Sequence, residues 1–222
     1  MNRIFVFLFI AVSGLELGGL LFHIPLLTTI AKPLIVLALV GYYLTRTSQR
    51  SVVFLAGLVF CWAGDVLLML DGELFFMLGL VAFLLGHVFY ILAYRQHSYA
   101  DSTEGLLNTQ KIRFSLPILL AGTGLVVVLQ PKLGALQLPV MIYAVVIIIM
   151  VMNALFRFGK TSPASFWMVF GGALLFQVSD SVLAVNKFHS AIAMGNFWIM
   201  LTYIAAQGLI VRGIVAHESG KS

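Results

Sequence analysis

Apolar residues occupy this chain in long unbroken runs, and the few polar positions fall mostly between them. Neither the alternation of a half-buried strand nor the single apolar stripe of a soluble amphipathic helix accounts for that pattern. Eight runs are long enough to cross a bilayer as helices. They lie roughly at Ile4–Phe22, Thr28–Leu44, Ser51–Leu70, Leu74–Tyr94, Phe114–Leu129, Leu138–Phe156, Ser165–Val185 and Ala191–Val211. Only the Arg95–Arg113 connection has any length, which leaves no room for a soluble domain. The expected fold is all-α: one multi-pass domain over residues 1–222, an eight-helix transmembrane bundle.

Composition agrees. Of 222 residues, 61% are hydrophobic and 9% charged, with a mean hydropathy of +1.07, whereas a soluble domain carries about 25% charged residues. The first run follows Arg3 and reaches Val12-Ser13-Gly14, so it has some features of a secretory signal, but beyond Glu16 and Gly18-Gly19 it continues into more apolar sequence. It lacks a clear small-x-small cleavage site and reads as a first helix that is retained. The lone Cys61 lies inside an apolar run and reads as packing.

The net charge of +5 matters through its distribution and is no nucleic-acid footprint. Arg3, Arg46, Arg50, Arg95, Lys111, Arg113, Arg157, Lys160, Arg212 and Lys221 fall on one side of the eight-span topology. Lys32, Lys132 and Lys187 fall on the other. Cytoplasmic loops are the ones enriched in Lys and Arg. Ten against three predicts a cell-membrane protein with both termini in the cytoplasm.

Two apolar runs carry a carboxylate near their outer ends: Asp65 in the third and Asp180 in the seventh. An ionisable group inside a span costs about 3 kcal/mol on insertion scales, so it calls for a function or a partner. The halves echo each other around these residues. Asp65 precedes Tyr90 by 25 positions and Arg95 by 30; Asp180 precedes Tyr203 by 23 and Arg212 by 32. This suggests parallel half-repeats over 1–95 and 114–212. Each aspartate then lies five residues before its helix end, and the two face each other at one depth.

Helical spacing groups further polar residues. Gly79, Phe83, Gly86, Tyr90 and Tyr94 share a face of the fourth span, with His87 beside it. Ala173, Phe176, Gln177, Asp180 and Ala184 share one on the seventh; Asn196, Met200, Tyr203 and Gln207 share one on the eighth. Asn196 and Asn153 read as interhelical hydrogen bonds, and His87 by itself as a core histidine. Glu16 and Lys32 either neutralise each other, or Lys32 meets a phosphate at headgroup depth. No zinc, thiol or serine-nucleophile motif occurs, and spacing gives no support to a metal held by Asp65, Asp180 and His87.

The ordered set Lys32-Pro33-Leu34, Gly64-Asp65-x-x-Leu68, Gly86-His87-x-x-Tyr90, Leu175-Phe176-x-x-Ser179-Asp180 and Thr202-Tyr203-x-x-Ala206-Gln207 resembles the pattern of the YhhN-like membrane proteins, a family that includes the lysoplasmalogenases. The resemblance runs from the second span to the eighth. It implies an eight-span hydrolase acting within the bilayer on a lysophospholipid, with no cofactor. The bond cut would be the vinyl ether of lysoplasmalogen, releasing a fatty aldehyde and glycerophospho-ethanolamine or -choline.

Enol-ether hydrolysis needs a carboxylic acid to protonate carbon and a second carboxylate to steady the oxocarbenium ion, as in glycosidases. Two acids in one low-dielectric site tend to share a proton, which suits them to that pairing. Asp65 and Asp180 are the catalytic candidates. Lys32, His87, Tyr90, Tyr203, Gln207 and Glu16 are the candidates for substrate binding. A proton-coupled transporter, or a hydrolase cutting another lipid bond, would also use intramembrane carboxylates.

Overall fold

The structure, a computed structural model, describes residues 3–99 and 104–219. Lys221, one of the ten charges counted above, lies outside the described residues. Eight helices follow in order: α1 (Ile4–Leu21), α2 (Pro25–Arg46), α3 (Val52–Leu67), α4 (Glu73–Gln96), α5 (Asn108–Leu129), α6 (Gln137–Leu155), α7 (Pro163–Ala184) and α8 (Gly195–Ser219). Seven are long and apolar enough to span a membrane; α3 is the shorter one. Most begin within three residues of expectation, but α5 starts at Asn108, six residues ahead of Phe114, and α8 at Gly195, four after Ala191, running eight past Val211 to Ser219. Ser51 and Ser162 cap α3 and α7 by accepting from the amides of Phe54 and Ser165, and Pro25 and Pro163 open α2 and α7. Proline is at home in a first turn because its missing N–H would have had no partner there.

The hairpins α1–α2, α3–α4 and α7–α8 make the most extensive contacts. The α2–α3, α4–α6, α6–α7 and α8–α2 contacts close these elements into a ring, with α5 outside it and packed chiefly on α6. Glycines set the tightest approaches, since hydrocarbon supplies no hydrophobic drive between helices and close packing must replace it. A Cβ on Gly86 of α4 would stand 2.8 Å from the Cys61 sulfur and 3.3 Å from the Gly57 carbonyl of α3. One on Gly172 of α7 would stand 2.8 Å from the Ala206 carbonyl of α8.

Polar side chains gather at the end of the bundle where α2, α4 and α8 finish. Tyr43 donates to Glu218 at 2.9 Å, and His97 Nε2 meets the same carboxylate at 2.8 Å. Arg157, just beyond α6, is 1% exposed. Its guanidinium donates to the His97 carbonyl at 2.9 and 3.2 Å and to Ser165 Oγ at 2.9 Å, while Ser165 donates to the Gly213 carbonyl of α8. Arg157 and Ser165 together link the ends of α4 and α6 to α7 and α8. Burial pushes its guanidinium down to about 10, still charged at neutral pH. A residue counted as a loop charge is therefore structural, which reduces the topology signal without reversing it.

At the opposite end α3 stops at Leu67, three residues before the predicted limit, and a tight turn through Leu68–Leu70 follows. Asp65 thus lies two residues from its helix end, and Asp180 four from the end of α7. The five-residue spacing expected for both does not hold. Sixteen residues rise ~24 Å against ~30 Å of hydrocarbon, and a cavity lined by Asp65 and Leu68 forms a recess beside the end of α3. Asp65 stands on the wall of that recess.

Candidate functional site: two carboxylates on one cavity

Helices α3 and α7 bring Asp65 and Asp180 to the same small cavity, of about 50 Å³. Lys32 of α2, Phe83 of α4, Tyr143 of α6 and Tyr203 of α8 help to line it. A water needs about 10–15 Å³, so a cavity of this size has room for a few waters but not for a lipid headgroup. Asp65 is 2% exposed. The Asp180 side chain is 17% exposed.

A tyrosine hydroxyl donates to each carboxylate: Tyr203 to Asp65 Oδ2 at 2.6 Å, and Tyr143 to Asp180 Oδ2 at 2.5 Å. Neither carboxylate has a Lys or Arg nitrogen within 4.0 Å among the described residues. The acids are held by neutral donors. His87 is wholly buried, edge-to-face on Phe176 and Tyr143, with Nε2 3.9 Å from Asp180 Oδ2. Neither of its ring nitrogens has a hydrogen-bond partner among the described residues. The expected satisfied core histidine is instead an imidazole waiting beside a carboxylate.

The remaining candidates divide by position. Tyr90 donates to Gln207 Oε1 at 2.6 Å, and Gln207 Nε2 donates to Tyr203 Oη at 3.2 Å. Together they form a relay that ends on Asp65. Tyr90 and Gln207 stand behind the cavity wall and are fully buried. Glu16 is also buried, away from the cavity lining, with Oε2 unpartnered among the described residues, and it makes no ion pair with Lys32 within 4.0 Å. Lys32 is half-buried on the cavity wall. Asn153 meets its expectation by accepting from Arg95 Nε of α4 at 2.9 Å. Asn196 does not, because its side chain is exposed.

Tyr143 is the residue that sequence reasoning missed. Its signal was available: it is the only tyrosine in the otherwise aliphatic run of α6. Ser179 and Ser181, flanking Asp180, spend their hydroxyls on the carbonyls of Ile199 and Gln177. Among the described residues no group of three or more His, Cys, Asp or Glu side chains gathers as a metal site would require.

A ring of apolar helices around a recessed pair of carboxylates defines a multi-pass membrane protein. The chain belongs to the YhhN family, whose profile matches residues 27–214. It is 33% identical over 183 residues to the human lysoplasmalogenase TMEM86B, covering 82% of this chain and 72% of that protein. It is 30% identical over 178 residues to the bovine lysoplasmalogenase TMEM86A, covering 79% and 69%. Human TMEM86A is likewise 30% identical, over 180 residues. No solved structure matches the chain.

Proposed function

We propose that this chain hydrolyses the vinyl ether bond of a lysoplasmalogen by carboxyl acid–base catalysis. The observation that carries the proposal is the convergence of Asp65 and Asp180, each held by a tyrosine, on one cavity. The family relatives named above bear the same activity in their names. In the proposed reaction one aspartic acid gives its proton to the β-carbon of the enol ether. The resulting oxocarbenium ion is steadied by the other aspartate, and a water adds to the α-carbon as its proton passes to a carboxylate. The hemiacetal so formed collapses to the fatty aldehyde and the free glycerol hydroxyl. One water is consumed and the acid is regenerated.

The neighbours take supporting roles. Lys32 would pair with the phosphate at the mouth of the recess, and His87, wholly buried off the cavity lining with Nε2 3.9 Å from Asp180 Oδ2, would act through that carboxylate as a positioning residue. Tyr90 and Gln207 act on Asp65 only through Tyr203, as positioning residues. The expected test is aldehyde release by the purified, reconstituted protein supplied with lysoplasmalogen. Free fatty acid as product would point to another bond, and proton-driven uptake without cleavage to a carrier.

The internal repeat is part of the same reading. Asp65 of α3 faces Tyr203 of α8, and Asp180 of α7 faces His87 of α4. The α2–α3 contact matches α6–α7, and α4–α6 matches α8–α2, as a pseudo-twofold through the site requires. The charged end of the bundle would be cytoplasmic, with the recess toward the outer leaflet. A cysteine placed at Gly72 should then react with an impermeant maleimide added outside intact cells. Labelling from the inside alone would reverse the orientation.

A further inference from the structure

A second cavity, also about 50 Å³, lies between α5, α6 and α7. It differs from the first in character: Leu125 and Val126 of α5 and Ala144 and Ile147 of α6 supply much of an almost wholly apolar wall. Asp180 and Tyr143 line both cavities, so the two are neighbours across one carboxylate and its tyrosine. A vinyl ether has the same layout. On its oxygen side lies the glycerol with its phosphate; on its β-carbon side lies a hydrocarbon chain.

From this match we propose that the α5–α6–α7 cavity is the entrance of the slot for the substrate's alkenyl chain. The proposal rests on the vinyl-ether reading above and deepens it. With the phosphate toward Lys32 and the chain passing Asp180, the β-carbon comes to rest at Asp180 and the oxygen toward Asp65. That polarity makes Asp180 the proton donor and Asp65 the carboxylate beside the oxocarbenium. Tyr143 then occupies one Asp180 oxygen and leaves the other to face the double bond.

The packing of α5 explains how a chain gains entry. The cavity is far too small for a long alkenyl chain, but α5 lies outside the helix ring and rests chiefly on α6. Its inward face is narrow, with Ser115, Ile118 and Leu129 buried along it, and a close approach to α6 falls at Gly122. A Cβ there would strike the Ile148 side chain and lie 3.4 Å from Gln177 Nε2. Parting α5 from α7 opens the slot sideways to the acyl core of the membrane, where the substrate's chain already resides. Lateral entry of this kind spares the chain any passage through water.

The slot has two independent tests. A lysophosphoethanolamine with an uncleavable alkyl ether and a diazirine midway along its chain should photolabel α5, α6 and α7 around Val126 and Ala144. This readout needs no catalysis, so it stands even where no vinyl ether is cut. Label on the α1–α2 face instead would overturn the slot. The second test fills the cavity with Ala144→Phe and, separately, Val126→Phe, both at half-buried positions with room to yield. Each methylene kept out of an apolar slot costs roughly fourfold in binding. The ratio of kcat/KM for a long-chain to a three-carbon alkenyl substrate should therefore fall at least about tenfold. An unchanged ratio in both folded variants would overturn the proposal; loss of photolabel in the same variants would support it.

Discussion

Asp65→Asn and Asp180→Asn should each lower the rate of vinyl-ether cleavage by at least ~10²- to 10⁴-fold, the usual worth of a positioned acid or base. Asparagine keeps the size of the side chain and an oxygen to accept from Tyr203 or Tyr143, so the hydrogen bonds at 2.6 and 2.5 Å persist. The substitution removes only the proton and the counter-charge. Both acids act on one transition state, so the double variant should lose little more than the worse single one, far less than the product of the two. Expression and thermal stability should hold or improve, because two acids in one low-dielectric cavity repel when both are charged. A purely structural pair predicts the opposite: poor yield, and near-normal activity in what does fold.

Lys32→Met should act on binding. A charge-assisted hydrogen bond contributes about 1.5–3 kcal/mol, so loss of a phosphate contact should raise KM by roughly 10- to 100-fold with a much smaller change in kcat. The competing role is to neutralise Glu16 at a distance, since the two make no ion pair within 4.0 Å; the phosphate contact predicts that removing both charges brings no rescue. Glu16→Gln added to Lys32→Met should accordingly restore nothing. Full activity in the single variant, or rescue in the double, would dispose of the phosphate contact.

The helical bundle was legible because lipid imposes it: every backbone polar group in a span must be satisfied within the segment, and apolar runs announce the spans. The two aspartates were legible for the same reason, since a carboxylate in such a run stands out by its cost. What escaped was decided by neighbours distant in the chain. The end of α3 at Leu67 falls inside Leu-Leu-Met-Leu, where no Gly, Pro or Asn punctuates the run. Asp65 and Asp180 could be placed near helix ends, but not at equal distances from them. Arg157 looked like an ordinary loop cation until three elements closed over it. Tyr90 and Gln207 sit on the expected faces, yet only the packing of α4 against α8 puts them behind Tyr203.

The reaction itself leaves a mark that separates protonation of carbon from every other way to cut the lipid. Run in D₂O with the purified protein and the aldehyde trapped as it forms, vinyl-ether hydrolysis should give a fatty aldehyde with one deuterium on the carbon beside the carbonyl. The protein carrying both Asp65→Asn and Asp180→Asn should give none above background. Aldehyde free of deuterium, fatty acid in its place, or undiminished release by the double variant would contradict catalysis by the two carboxylates.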